Sequence, residues 1–301
     1  MSFSSEIKNE LCNIDNLSDC CYHAQVYGLV LFAHFNNYNF SITTENKNVF
    51  DLYVNALKNY IKCDYTVNTS GTKKMSAYVE KPEAKLIALE KFGHSFDETS
   101  VRINYANLTN ECCISSFMRG AFLSCGSVSD PTKMYHLEFV IPFKKLSMDL
   151  VKIMSELDLY PKTVFRKGNY VVYFKDSESI EDFLAIIGAQ NASLYMMNVK
   201  IEKDVNNRIN RKMNFDMHNI DMTVNAAMRQ INAIEYLKST TGLSILPENL
   251  KELAELRIEN PEASLSELVN LYDKDISKSG VKHRLDKIIS IAQEHKEKSV
   301  K

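Results

Sequence analysis

Apolar positions along the chain recur with helical and strand periods, and the order of the resulting elements repeats. A short amphipathic helix is predicted over Ser2 to Leu11, capped by Ser4 or Ser5 with Glu6 nearby. An almost wholly apolar helix follows from about Cys20 to Phe35, with Gly28 inside it. Tyr38 to Thr44 alternates apolar and polar residues, as a half-buried strand does. Val49, Leu52, Tyr53, Ala56, Leu57 and Tyr60 fall at helical spacing. Two short strands, Asp64 to Thr69 and Lys74 to Glu80, join through Ser70-Gly71-Thr72. A helix from Pro82 to Phe92 closes the unit, with proline at an early helical position.

The same order then returns. Phe117 to Val128 reads as an apolar helix that carries Gly120 and ends at Gly126. A strand from Met134 to Ile141 follows, then a helix from Lys144 to Leu157 with Leu146, Leu150, Ile153 and Met154 on one face. A hairpin pairs Thr163 to Arg166 with Tyr170 to Phe174, and a last helix, Asp176 to Ile187, ends at Gly188 as its C-cap. Such a duplication argues for two α+β halves sharing one interface. Glycine inside a helix costs about 1 kcal/mol relative to alanine, a cost accepted where another backbone must come close. Gly28 and Gly120 are therefore expected to pack face to face at the centre of a pseudo-twofold domain.

The pattern changes after Met197. Asn206, Asn207, Asn210, Asn214 and Asn219 mix with Arg208, Arg211 and Lys212 as far as Asp221. The segment reads either as a solvated helical linker or as one that contacts phosphates, to which arginine, lysine and amide side chains are suited. Thr223 to Lys238 reads as a further amphipathic helix. Leu250, Leu253, Leu256 and Ile258 mark the next helix, stopped near Pro261. Ser264 and Glu267 form a capping box for a second, with Leu265, Leu268, Val269 and Leu271 inside. After a turn over Tyr272 to Ile276, Ser277 or Ser279 caps a third, which buries Val281, Leu285, Ile288, Ile289 and Ala292.

Two short helices, a turn and a third helix form a helix-turn-helix pattern. Its recognition helix begins near Lys278, with Ser279, Gly280, Lys282, His283, Asp286 and Lys287 outward. Lys278 and Lys282 suit phosphates, and Arg284 suits a guanine edge or a phosphate. The alternative is a three-helix interaction bundle with a solvated basic face.

Composition narrows the partners. The chain has 301 residues, 45% of them apolar and 25% charged, with a net charge of −2. Any nucleic-acid footprint must then be local. Met1 to Asp15 lacks the apolar core of a signal peptide, and no apolar run suffices to span a bilayer, so a cytoplasmic, nucleoid-associated protein is expected. Seven cysteines, an odd number, suit a reducing compartment. The pairs Cys20-Cys21 and Cys112-Cys113 lack the spacing of two to four residues usual for zinc, and adjacent cysteines on a helix point in different directions. They read as buried or partly buried thiols, with a metal or redox role as the alternative, and neither metal nor cofactor is expected. No phosphate-binding glycine loop or nucleophile elbow is present.

The stretch from Phe117 to Val128 resembles the LAGLIDADG helix of homing endonucleases. More closely, Arg119-Gly120-Ala121-Phe122-Leu123, then Gly126 to Pro131, Tyr135 to Phe139, and Ile276-Ser277-Lys278-Ser279-Gly280-Val281-Lys282-His283-Arg284-Leu285 resemble the WhiA family of bacterial regulators. The resemblance covers nearly the whole chain. It implies an α+β fold, a duplicated LAGLIDADG-like domain with two small antiparallel sheets forming a DNA-facing saddle, followed by an all-α helix-turn-helix domain. The expected boundaries are 1–105 and 106–197 for the two halves, 198–221 for a polar basic linker and 222–301 for the helical domain.

The function implied is sequence-specific binding of double-stranded DNA and transcription regulation, linked to sporulation, cell division and chromosome segregation. Lys278, Ser279, Lys282, His283, Arg284 and Lys287 are the expected DNA-binding residues, with Arg208, Arg211 and Lys212 as helpers. Active LAGLIDADG enzymes place an acid at the penultimate position of each motif, where two carboxylates hold metal ions. Here those positions hold Ala33 and Cys125, neither of them a hard oxygen ligand. Asp130 alone does not rebuild a symmetric pair, and His34 and His136 read as polar surface or interface residues, so no enzyme activity is expected. The alternatives are a metal-dependent endonuclease and a protein-interaction module whose saddle binds a partner such as a sigma factor.

Overall fold

In the computed structural model, residues 2–15, 17–35, 40–69, 73–95, 98, 100–273 and 275–299 are described. The predicted Ser70-Gly71-Thr72 turn, the start of the strand at Tyr38 and Asn39, and Lys274 of the later turn lie outside them. The chain divides into two compact units, Met1–Lys203 and Asp204–Lys301.

The first unit is built twice from one plan. In the first half, helices α1 (Phe3–Cys12) and α2 (Asp19–Leu31) lead into strands β1 (His34–Phe35) and β2 (Phe40–Thr44). Helix α3 (Lys47–Asn55) runs on as a wider π-helical segment, Ala56–Ile61, before β3 (Thr66–Asn68), β4 (Met75–Tyr78) and α4 (Pro82–Lys91). The second half has α5 (Glu111–Cys125), β5 (Gly126–Val128), β6 (Leu137–Ile141), α6 (Lys144–Glu156), β7 (Lys162–Arg166), β8 (Asn169–Phe174) and α7 (Ser177–Ile187). Each half forms a four-stranded antiparallel sheet, ordered β1-β2-β4-β3 and β5-β6-β8-β7. Position by position the two orders match, which is the duplication read from the sequence.

Helices α2 and α5 make the most extensive helix–helix contact among the described residues. A Cβ added at Gly28 would run into the Phe117 carbonyl, and one at Gly120 into the Gln25 carbonyl and the Leu29 amide. The glycines thus let backbone meet backbone, as the pattern predicts. Around them Tyr27, Phe32 and Phe117 stack with ring centroids 5.5 and 5.8 Å apart, and the cores of both halves form one cluster. Arg119, buried beside this contact, donates from Nε to the Ile187 carbonyl at 2.6 Å and from Nη1 to Gln25 Oε1 at 2.9 Å.

Several expectations are corrected. Ser2, rather than Ser4 or Ser5, caps α1, accepting from the Ser5 amide at 3.3 Å. The first apolar helix ends at Leu31 rather than near Phe35, and the strands that follow the two apolar helices, β1 and β5, are too short to show a period. The second apolar helix does end at Gly126, whose extended backbone (φ −82°, ψ 149°) opens β5, and Gly188 is the expected C-cap, left-handed at φ 94°. Cys112 is exposed rather than buried. Adjacent cysteines do not diverge: the sulfurs of Cys20, Cys21, Cys112 and Cys113 lie within 4.8 Å of one another.

The polar segment after Met197 and the helix predicted from Thr223 are one element, α8 (Gln190–Thr240). No glycine or proline interrupts those 51 residues, so nothing forces a break despite the asparagines. In the second unit, the end of α8 packs with α9 (Glu248–Glu259), α10 (Leu265–Leu271) and α11 (Lys278–Ser299). Ile234, Leu237, Leu253, Leu268, Val281, Leu285 and Ile288 form its core. Leu271, expected inside, is 50% exposed, and Ile289 is only half-buried. Both flank the buried stripe rather than lying on it.

Candidate nucleic-acid interface

Local chemistry fixes both helices of the α10–α11 pair. Ser264 Oγ accepts from the Glu267 amide at 3.3 Å, and Glu267 accepts in return from the Ser264 amide at 2.7 Å, completing the predicted capping box. The Ser264 amide, and then its hydroxyl, hold the Glu267 carboxyl below its ordinary pKa. At the start of α11, Ser277 Oγ accepts from the Gly280 amide at 3.2 Å. A side chain at Gly280 would press on Ile276, so glycine lets the helix begin tight against its own turn.

Two interactions that no periodicity reveals brace this pair. Arg257 of α9, 2% exposed, donates to the carbonyls of Pro261 and Ala263 and so fastens the turn between α9 and α10. Burial pushes its pKa below the ordinary value. Tyr272, between α10 and α11, donates from its hydroxyl to Glu252 Oε2 at 3.0 Å. The same hydroxyl accepts from Arg284 Nη1 at 3.0 Å, and the guanidinium carbon lies 5.6 Å from the ring centroid. Arg284, expected at a guanine edge or a phosphate, is placed differently from its neighbours on α11: its guanidinium turns back onto the bundle.

The remaining candidates on α11 face outward. Lys278, Ser279, Lys282, His283 and Lys287 are all exposed. Lys278 and Lys282, one turn apart, edge a cleft of about 410 Å³ whose walls include Met222, Thr223, Ser264 and Leu265. Ser279 Oγ lies 2.9 Å from Ser277 Oγ and is tied to the helix start. Arg208, Arg211 and Lys212 are exposed on α8, and their spacing of three and four residues puts them on one helical face.

The first unit offers a different surface. Along β2, β3 and β4, the positions in register on the outer face are Ser41, Thr43, Thr66, Asn68, Ser76 and Tyr78, hydroxyls and one amide without a cation. The outer face of the second sheet mixes Val140, Val164, Lys162 and Tyr173 with Glu138, which pairs with Arg166 at 3.7 Å and His136 at 3.1 Å. His34 is exposed on β1.

At the ends of α2 and α5, where LAGLIDADG nucleases carry their acids, the structure has Ala33 and Cys125, as aligned from the glycines. Lys8, partly buried, brings its ammonium there and donates to the Leu123 carbonyl at 3.0 Å. Burial lowers its pKa, and its charge acts on Cys125, whose thiol burial pushes up to about 12. Asp130 is occupied locally, accepting from the Thr132 amide at 2.9 Å and its hydroxyl at 2.6 Å. No helix among the described residues is long and apolar enough to cross a membrane.

Comparison with known proteins agrees with this division. Residues 114–206 match the model of the WhiA LAGLIDADG-like domain, and residues 209–292 that of the WhiA C-terminal HTH domain. The chain is 37% identical over 322 residues to the "Probable cell division protein WhiA" of Alkaliphilus metalliredigens, covering all of both chains. It is 38% identical over 320 residues to the protein of the same description from Alkaliphilus oremlandii, again at full coverage. Among solved structures, full-length DUF199/WhiA from Thermatoga maritima superimposes with a TM-score of 0.58 at 25% identity, covering 98% of this chain and 99% of that one.

Proposed function

The chain belongs to the WhiA family, and on that premise we propose that it regulates transcription by binding double-stranded DNA sequence-specifically through α11. The observation that carries this reading is the set of exposed side chains on the first turns of α11. Residues at the start of a recognition helix reach the major groove, while the supporting helix crosses the backbone. Lys278, Lys282 and Lys287 neutralise phosphates. Ser279 and His283 supply the base-edge contacts, since Arg284 is engaged with Tyr272. Arg208, Arg211 and Lys212 add phosphate contacts from α8. The names of the relatives support cell division as the regulated process; sporulation and chromosome segregation are proposed on the sequence resemblance alone.

The same reading assigns no nuclease activity. Phosphodiester cleavage needs clustered hard oxygen ligands to hold Mg²⁺ and activate water. An alanine, a cysteine and a partly buried ammonium stand at that place instead. The outer face of the first sheet, uncharged along its strands, suits a protein partner such as a sigma factor better than a polyphosphate backbone. The experiment is fluorescence anisotropy of the full chain on genomic duplexes across a salt series, with plasmid cleavage assayed in Mg²⁺ and Mn²⁺. Binding that survives replacement of Lys278, Lys282 and Lys287 by alanine, with an unchanged salt slope, overturns the assignment of α11.

A further inference from the structure

The cysteine quartet is used by neither surface described above, and its arrangement is not that of ordinary packing thiols. Cys20 and Cys21 are the second and third residues of α2; Cys112 and Cys113 are the second and third residues of α5. The two pairs therefore occupy equivalent places in the duplicated halves, and the contact between α2 and α5 brings both helix starts together. Each pair alone lacks the spacing of a chelate. Facing pairs from two helices close the set: all four sulfurs lie within 4.8 Å of one another. Among the described residues this is the one place where three or more potential metal ligands converge.

A second observation points to what the sulfurs hold. Ser18 and Asn110 are the N-cap residues of α2 and α5, and both types are preferred there because their side chains accept from the first-turn amides. Neither does so here. Instead Ser18 Oγ lies 3.3 Å from Cys20 Sγ, and Asn110 Nδ2 donates to the same sulfur at 3.6 Å. Thr109 Oγ1 lies 3.9 Å from Cys113 Sγ. Hydroxyl and amide donors aimed at sulfur are the outer contacts that orient and stabilise thiolate ligands. The first-turn amides of two helices add a positive field on the same side.

We propose that Cys20, Cys21, Cys112 and Cys113 bind one zinc ion, which clamps the starts of α2 and α5 together. Zinc with four thiolates is tetrahedral, with Zn–S bonds of about 2.3 Å, which sets the sulfurs about 3.8 Å apart. The quartet needs to contract by at most about 1 Å per edge, within reach of small χ1 rotations. Thiolates select zinc over the hard cations Mg²⁺ and Ca²⁺. An iron–sulfur cluster holds its cysteines further apart, because the inorganic core lies between them. On binding, the four S–H protons pass to solvent, including the one Cys21 now donates to the Cys112 carbonyl. The site is structural: all four positions are filled by protein, leaving none for a substrate.

The test uses the full chain purified under reducing conditions. Its metal content is measured after reconstitution with zinc and, separately, with cobalt(II). The expected result is one zinc per chain, retained through desalting. Cobalt should give the strong visible bands and near-ultraviolet charge transfer of tetrahedral thiolate coordination, displaced by one equivalent of zinc. Cys20→Ser combined with Cys112→Ser should abolish both signals, whereas Cys12→Ser and Cys63→Ser, elsewhere in the unit, should leave them intact. Should the double variant fail to fold, the cobalt spectrum and zinc competition of the unaltered chain decide. Weak octahedral cobalt bands, absorbance of an iron–sulfur cluster, substoichiometric zinc, or disulfide formation with no metal retained after reduction would each overturn the proposal.

Discussion

Arg284 donates to the hydroxyl of Tyr272 across the turn between α10 and α11, with its guanidinium over the tyrosine ring. A residue whose spacing suits a base edge is thereby a brace of the recognition helix. Arg284→Ala is expected to lower the stability of the second unit by about 1.5–3 kcal/mol, the range for a hydrogen bond to a charged group. Base preference among the duplexes still bound should be unchanged. Tyr272→Phe should cost a similar amount, and the double variant less than the sum, because the two share one interaction. Urea unfolding of the four proteins, with binding to a panel of single-base variants, checks this; altered preference at one base pair would restore Arg284 as a reader.

Lys278→Ala, Lys282→Ala and Lys287→Ala should each weaken binding to all duplexes alike and lower the salt slope by about one unit. His283→Ala and Ser279→Ala should instead lose discrimination, about 1–3 kcal/mol at one base pair, with little change in slope. Anisotropy titrations at several salt concentrations separate the two classes.

Gly28→Ala and Gly120→Ala each drive a methyl into a backbone carbonyl of the facing helix. Neither carbonyl can rotate away as a side chain would, so each substitution should cost about 3 kcal/mol or more, at the upper end for overpacking. For a unit of this size that lowers the melting temperature by roughly 6–12 °C. Calorimetry showing no shift would mean that the helices do not meet through these glycines.

The Glu267 carboxyl should titrate below the ordinary 4.5 because the Ser264 amide and hydroxyl bond to it. The ionised form therefore favours the folded capping box. That contribution is complete above 4.5 and fades as pH falls through the lowered folded value. Carboxyl chemical shifts followed by NMR give the midpoint, and a value at or above 4.5 would contradict the capping geometry. Glu267→Gln, which keeps the bond to the Ser264 amide, should remove this pH dependence.

Restoring acids at Ala33 and Cys125 should not restore cleavage. The Lys8 ammonium occupies the same surroundings as Cys125 and opposes a metal ion. Ala33→Asp with Cys125→Asp is expected to leave supercoiled plasmid intact in Mg²⁺ and Mn²⁺. Nicking by that variant would show that the acids alone were lacking.

What the sequence revealed depended on how local each determinant is. Gly28 and Gly120 stand out because glycine weakens an apolar helix unless a second backbone needs the space. The Ser264–Glu267 box is complete within four residues. Strands β1 and β5, of two and three residues, are too short to carry a period of two. The asparagines after Met197 disguised one helix as a linker and a helix. The direction of Arg284 depends on a tyrosine in the preceding turn. The cysteine convergence depends on α2 pairing with α5, which neither pair encodes alone, so the spacing rule that works for chelates within one segment gave no signal.

The contact between Gly28 and Gly120 also sets a schedule for synthesis. Helix α2 buries nine of its thirteen residues in the finished protein, much of that surface against α5. Its partner glycine leaves the ribosome about ninety residues later. At about 5–20 residues per second, α2 waits roughly 5–20 s with its apolar surface uncovered. The first half of the protein thus carries that surface uncovered during every round of translation, and codons that slow the ribosome before α5 would lengthen the exposure.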